Sequence, residues 1–177
     1  VAAGAALNLS GGDHLMAEGS SFSGAGDVRV SGGTPTWAGK MSGCRLLVSN
    51  GTASVNTNAT VNPSAVELSG GTVGGGGKVV TAGTLTWTGG NISGGIQCSG
   101  GSVSTSATKD LGGGQLINPG ALNVAATVRT YYGSVISNLA GATFDLTADV
   151  GTDYTGWGAR GSIFNAGVFR KSSATGT

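Results

Sequence analysis

A short apolar–polar–apolar phrase returns along this sequence at multiples of about 20 residues. Ala6–Leu9 (ALNL) returns as Ala65–Leu68 (AVEL) and as Ala121–Val124 (ALNV). Alternation at period two places the apolar side chains on one face of a β-strand and the polar side chain on the other. Apolar residues separated by 18 to 22 positions continue the series: Leu7, Val28, Leu46, Val66, Leu85, Val103, Leu122, Phe144 and Ile163.

Further apolar residues fall between these positions, so that one occurs about every six or seven residues. Glycine and asparagine pairs such as Gly11-Gly12, Asn50-Gly51 and Gly70-Gly71 separate them, and tight corners favour these residue types. A short strand, a corner and a return after about 20 residues predict an all-β parallel β-helix, or β-solenoid, with three short strands per coil. The 177 residues predict about nine coils. At about 4.8 Å per coil, the stack is roughly 40 Å long.

Other all-β architectures fit this spacing less well. A sandwich or barrel predicts hairpins at intervals of about 8 to 12 residues and does not require the same phrase at every third strand. A propeller predicts a repeat of about 40 to 50 residues, and Gly33–Gly39 (GTPTWAG) does return as Gly83–Gly89 (GTLTWTG) at an offset of 50. The apolar series inside that interval keeps its period near 20, so a propeller remains a minority interpretation.

Composition excludes several classes. The chain has 36 glycines in 177 residues and only 10% charged residues, which argues against helix bundles. Its 38% hydrophobic content and net charge of +1 argue against disorder and give no basic patch for nucleic acid. Apolar runs are too short to span a membrane. No cofactor-binding or metal-ligating motif occurs, since the glycine runs Gly74–Gly77 and Gly112–Gly114 lack a Gly-Lys-Ser/Thr element and are predicted to be corners or loops.

The run Gly83–Gly95 (GTLTWTGGNISGG), together with the phrases given above, resembles large secreted repeat proteins of bacteria, namely filamentous haemagglutinins and autotransporter passengers. The resemblance covers about 150 of the 177 residues. It implies a right-handed parallel β-helix exported to the cell surface or the extracellular space. There it would serve as an adhesin, stalk or matrix fibre, and the resemblance carries over no catalytic residue.

We expect one solenoid domain over residues 1–177, with regular coils in 1–130 and a less regular, aromatic-rich end in 131–177. Irregular ends of repeat arrays often bind partners. Tyr131, Tyr132, Tyr154 and Trp157 are therefore the candidate binding residues. Trp37 and Trp87 are predicted to be core residues.

Acidic residues in this end offer a second candidate. Asp145, Asp149 and Asp153, near Arg160, could form a cation site or a polysaccharide-lyase-like groove. The favoured interpretation is solvated surface, because Asp145 takes the outward slot of its strand and the other two acids fall in predicted corners. Cys44 and Cys98 are predicted to be buried and unpaired with one another, since about three coils separate them.

These features predict a non-catalytic structural or adhesive solenoid. Its partners would be other copies, stacked end to end, or a cell-surface glycan or protein. Strand edges at the ends need capping or continuation, so we expect a piece of a longer array or a protomer that stacks on its neighbours. The rival hypothesis is a carbohydrate-binding or carbohydrate-cleaving β-helix of phage-tailspike or polysaccharide-lyase type. An ice-binding solenoid is a lesser alternative, because Thr34-x-Thr36 and Thr84-x-Thr86 resemble threonine ladders.

Overall fold

The computed structural model describes residues 1–104 and 107–173. These residues form parallel β-strands and no helix. In chain order the strands are β1 (Ala6–Leu9), β2 (Leu15–Met16), β3 (Ser21–Ser23), β4 (Asp27–Ser31), β5 (Thr36–Trp37), β6 (Lys40–Ser42), β7 (Arg45–Asn50), β8 (Thr52–Val55), β9 (Thr60–Val61), β10 (Ala65–Leu68), β11 (Thr72–Gly74), β12 (Lys78–Trp87), β13 (Asn91–Ile92), β14 (Gly95–Val103), β15 (Lys109–Gly112), β16 (Gln115–Asn118), β17 (Ala121–Val124), β18 (Val128–Tyr131), β19 (Val135–Asn138), β20 (Thr143–Leu146), β21 (Thr152–Tyr154), β22 (Ser162–Asn165) and β23 (Val168–Lys171).

The strands wind into a solenoid with three faces. The first face contains β1, β4, β7, β10, β12, β14, β17, β20 and β23, each paired in parallel with the next. The second face contains β2, β5, β8, β11, β13, β15, β18 and β21. The third face contains β3, β6, β9, β12, β14, β16, β19 and β22. Strands β12 and β14 are long because each runs around the corner from the third face to the first.

This architecture confirms the predicted all-β parallel solenoid with three strands per coil. The eight strands of the second face make seven coil-to-coil steps, so the number of coils is slightly lower than the nine predicted. The propeller interpretation is wrong. The two segments that are 50 residues apart lie on different faces, since Trp37 is in β5 on the second face and Trp87 is in β12 on the first.

The predicted apolar column is correct in its first part. Val28, Leu46, Val66 and Leu85 occupy successive positions on the first face. The next position is taken by Gly101.

The predicted members Val103 and Ile163 belong to other columns. Val103 pairs with Trp87, because the register of β12 and β14 shifts between Thr81 and Thr84. Ile163 pairs with Ile136 on the third face. A single extra corner residue is enough to move a side chain to a different column, and counting apolar residues does not reveal such an insertion.

A column of glycines forms the corner between the first and second faces in the first five coils. Its members have φ between +64° and +78°: Gly12, Gly33, Gly51, Gly71 and Gly90. A Cβ on Gly71 would lie 2.5 Å from the carbonyl oxygen of Gly51, and a Cβ on Gly90 would lie 2.5 Å from that of Gly71. Stacked corners therefore require glycine both for its left-handed conformation and for its lack of a side chain.

The core is a narrow apolar column inside the three faces. Its largest side chains include Trp37 and Trp87, and both are 0% exposed, which confirms their prediction as core residues. Cys44 and Cys98 are buried and form no disulfide, as predicted. Burial raises the pKa of the Cys98 thiol to about 12.

A second corner, between the third and first faces, is held by asparagines in the last coils. The buried Asn118 donates from Nδ2 to Asn138 Oδ1 at 2.8 Å, and Asn138 donates to Asn165 Oδ1 at 2.7 Å. The same amides also donate to the carbonyl oxygens of Thr143 and Val168, each at 2.9 Å. This asparagine ladder joins neighbouring coils by side-chain hydrogen bonds in addition to the β-pairing.

Candidate functional site

The four predicted binding residues come together at the corner between the second and third faces, in the last two coils. Tyr131 ends β18, and Tyr132 follows it in the corner. Tyr154 ends β21, and Trp157 lies in the loop that leads to β22. We call these four residues the aromatic corner.

Ring contacts and backbone hydrogen bonds hold the aromatic corner together. The centroid of Tyr131 lies 5.2 Å from that of Tyr132 and 5.9 Å from that of Trp157, both edge to face. The Tyr132 amide donates to the Trp157 carbonyl at 3.1 Å. The Tyr154 hydroxyl donates to Gly158 O at 2.6 Å, which ties the loop to β21. Edge-to-face pairs of this kind add specific stabilisation to the burial of the rings.

The two outer rings are largely in water. Tyr132 is 61% exposed and Trp157 is 62% exposed, whereas Tyr131 beneath them is partly buried. Burial raises the pKa of the Tyr131 hydroxyl, and the nearby Asp110 carboxylate adds to the rise. The corner thus presents flat apolar surfaces supported by a third ring.

The backbone of Tyr132 is strained. Its φ is +53°, and it is the one non-glycine residue with a positive φ in the described chain. A bulky residue is rare in this region, and such strain costs on the order of 1–3 kcal/mol. Gly158 faces the ring, and a Cβ at that position would overlap Tyr132 Cδ1. The fold therefore holds the Tyr132 ring outward against its own backbone preference.

A row of charges borders the aromatic corner on the second face. Asp110, Arg129 and Asp153 are successive residues in one column. Arg129 binds Asp110 through two hydrogen bonds of 2.8 Å, and this contact raises the pKa of the Arg129 guanidinium. The Arg160 guanidinium lies over the Tyr154 ring, 4.9 Å from its centroid. Two acids and two bases leave this border without net charge.

The predicted acidic cluster does not form. Asp145 is only 4% exposed, because Arg170 covers it with an ion pair of 2.8 Å, so the interpretation of Asp145 as solvated surface is wrong. Hydrogen bonds from Ser172 and then from Arg170 lower the pKa of the Asp145 carboxyl. Asp149 pairs with Lys171 at 2.6 Å. The remaining acid, Asp153, lies in β21 and not in a corner.

Across residues 1–104 and 107–173, no group of three or more His, Cys, Asp or Glu side chains is placed to hold a metal ion. The same part of the chain contains no helix long and apolar enough to cross a membrane. The two Thr-x-Thr segments lie on different faces, with Thr36 in β5 and Thr86 in β12, so they do not form one ladder.

Sequence analysis missed two residues of the corner. It grouped Arg160 with the acids, and it gave no role to Gly158, although the run Gly156-Trp157-Gly158 signals a compact loop around an exposed ring.

A scan against protein-family models found no match, and searches of curated proteins and of solved structures found none either. The stacked coils are consistent with β-helix repeat proteins, and that shared architecture is how far the resemblance to filamentous haemagglutinins and autotransporter passengers extends.

Proposed function

We propose that this chain is a non-catalytic structural or adhesive β-solenoid of the extracellular space or the bacterial surface, and that its copies stack end to end. The resemblance to filamentous haemagglutinins and autotransporter passengers suggests this location and role. The observation that carries the proposal is the pair of open, chemically complementary ends of the solenoid.

The last described coil leaves core positions uncovered. All residues of β22 and β23 are exposed, although they continue columns that are buried in earlier coils. Ile163 is 42% exposed and Phe169 is 36% exposed, and Phe169 stacks on Phe144 with a centroid distance of 4.8 Å. Among the described strands, β23 pairs with β20 alone, which leaves its other edge open. Open parallel edges of this kind favour pairing with another strand.

The first coil has matching features. Strand β1 pairs only with β4 among the described strands, and Leu15 of β2 is 69% exposed. Residues 1–26 contain Asp13 and Glu18 and no Lys or Arg, whereas residues 154–173 contain Arg160, Arg170 and Lys171 and no Asp or Glu. Opposite charge favours contact between unlike ends, and such head-to-tail contacts that do not close produce filaments.

Association in solution tests this proposal. We expect sedimentation velocity of the 177-residue chain to show species that grow with protein concentration, and electron microscopy to show filaments of solenoid width. Ile163→Glu should abolish the growth, because it places a charge on the uncovered end. Leu139→Glu is the matched control, since Leu139 is 40% exposed in the corner between β19 and β20, away from the end. A wild-type chain that stays monomeric, or equal loss in both variants, would overturn the proposal.

A further inference from the structure

The exposed rings of the aromatic corner lie at one end of a groove. The groove follows the corner between the second and third faces through the preceding coils and has a volume of about 480 Å³. One wall is the loop containing Thr57 and Asn58, before β9. Its floor is formed by glycines of the next three coils, in Gly75–Gly77, Gly94–Gly95 and Gly113. We call this feature the corner groove.

The corner groove leads directly to the aromatic corner. A Cβ on Gly113 would lie 3.6 Å from Tyr132 Cβ, so Tyr132 rises on the coil next to the floor. Trp157 lies one coil further along the axis and touches Tyr131. The distance from the Thr57 loop to Trp157 is five coils, or about 24 Å. The two features together form one surface long enough for several linked rings.

Coil stacking requires most of the floor glycines. A Cβ on Gly75 or Gly77 would overlap a carbonyl oxygen of the Asn56 corner or of Val55, and a Cβ on Gly114, beside the floor, would lie 2.5 Å from Ile92 O.

Gly95 is different. Its φ is not positive, and a Cβ there would meet only ordinary contacts, at 3.4 Å from Gly77 O and 3.6 Å from Lys78 Cγ. Glycine inside a strand weakens that strand and often marks the close approach of a ligand. The fold does not require glycine at this position, so Gly95 has the effect of keeping the groove open.

Polar groups line the rim of the groove. Asn58, Thr60 and Gln115 are exposed, and Lys78 is partly exposed. These side chains can donate and accept hydrogen bonds, whereas the glycine floor offers no apolar pocket for the side chains of a peptide. The balanced charges of Asp110, Arg129, Asp153 and Arg160 give no field that would attract a polyanion.

We propose that the aromatic corner and the corner groove together bind one strand of an uncharged glycan. The exposed faces of Trp157 and Tyr132 would stack on the C–H faces of pyranose rings, and the rim would hydrogen-bond to their hydroxyls. The strained φ of Tyr132 fits this role, because a ring that served only the fold would not need to be held outward at such a cost. This inference does not depend on end-to-end stacking.

Fluorescence provides a selective test, because Trp157 is exposed and the other two tryptophans are fully buried. The probes are cellohexaose, maltohexaose and xylohexaose, with polygalacturonate as the charged comparison. Binding of an uncharged probe should protect Trp157 from acrylamide quenching and give a calorimetric isotherm. Trp157→Ala should weaken that binding about tenfold or more, whereas Phe164→Ala, which removes an equally exposed ring from β22, should leave it unchanged.

Two further variants separate binding from folding. Tyr132→Gly should weaken glycan binding while the melting temperature stays equal or rises, because glycine accepts the positive φ that strains tyrosine. Gly95→Gln should fill the groove and weaken binding without loss of stability. The proposal fails if none of the uncharged probes binds, if polygalacturonate binds more tightly than all of them, or if Tyr132→Gly lowers the melting temperature and leaves binding intact. Sedimentation of Trp157→Ala should match wild type, which keeps this test distinct from the test of stacking.

Discussion

Single buried polar residues join neighbouring coils, and Asn138 is the central one. Its amide accepts a hydrogen bond from Asn118 and donates to Asn165 and to the Val168 carbonyl. Asn138→Ala leaves these partners unpaired inside the solenoid, so we expect the free energy of unfolding to fall by about 2–3 kcal/mol. Asn165→Ala, at the exposed end of the ladder, should cost less than about 1 kcal/mol. Urea unfolding followed by circular dichroism measures both, and equal costs would contradict this account.

The Asp27 carboxylate makes stability depend on pH. Hydrogen bonds from Arg45 and then from Arg29 lower the pKa of Asp27, which is only 7% exposed. A carboxyl whose folded pKa is lowered contributes stability above its unfolded pKa of about 3.9, and that contribution is lost as the pH falls through the folded pKa. Asp27→Asn should therefore be less stable than wild type at neutral pH, and the difference should close in acid.

Urea midpoints measured from pH 7 downward would show this convergence. Asp13→Asn is the control, because Asp13 is exposed and takes part in none of the described ion pairs. A gap between Asp27→Asn and wild type that stays constant with pH would show that the ion pairs with Arg45 and Arg29 do not carry the effect.

The cysteines report on core integrity. Burial raises the pKa of Cys98 to about 12, so its thiol stays protonated at pH 8, where an accessible cysteine is partly thiolate. We expect the native chain to react slowly with an aromatic disulfide reagent at pH 8, and both thiols to react at once in urea. Rapid reaction of one thiol without denaturant would place that cysteine outside the core.

At the scale of strands and corners, glycines differ in how strictly they are needed. Gly71 has φ +64° and stacks under a carbonyl oxygen, whereas Gly95 has neither constraint. We expect Gly71→Ala to lower the free energy of unfolding by about 2 kcal/mol or more, and Gly95→Ala to leave it unchanged or raise it slightly. Thermal and urea unfolding of the two variants provide the measurement. Similar losses at both positions would mean that stacking, and not an open groove, requires Gly95.

The strands follow from the sequence because each carries its own alternation and each coil repeats it. Register does not follow so fully. Val103 and Leu122 both continue the series at the expected interval, yet Val103 pairs with Trp87, because a corner of β12 contains one residue more than the corresponding corner of β14. Corner lengths are set by local backbone geometry, which a count of apolar residues does not measure.

The candidate site was predictable in composition but not in geometry. Enrichment in aromatic residues identified Tyr131, Tyr132, Tyr154 and Trp157, and the solenoid brings them to one corner. The contact of Tyr131 with Trp157 depends on a loop that has no repeat to place it. Asp145 was misjudged because the side chain that covers it, Arg170, lies 25 residues away, beyond the usual coil length.

The whole molecule is a one-dimensional stack in which each coil contacts only its neighbours, so stability should decrease from the middle toward the ends. Hydrogen exchange measured by mass spectrometry at low protein concentration should show the strongest protection in β10, β12 and β14. It should show the weakest in β1 to β3 and in β22 and β23, whose residues are largely exposed.

The same measurement at high protein concentration tests how copies meet. If unlike ends stack, protection should rise in β1 and β23 while the middle strands stay unchanged, because parallel pairing of those two edges satisfies amides that are otherwise open to water. A rise along the second or third face would indicate side-by-side association instead. Ile163→Glu should remove the concentration dependence at β1 as well as at β22 and β23, since one contact forms both ends, and a loss confined to the mutated end would contradict head-to-tail stacking.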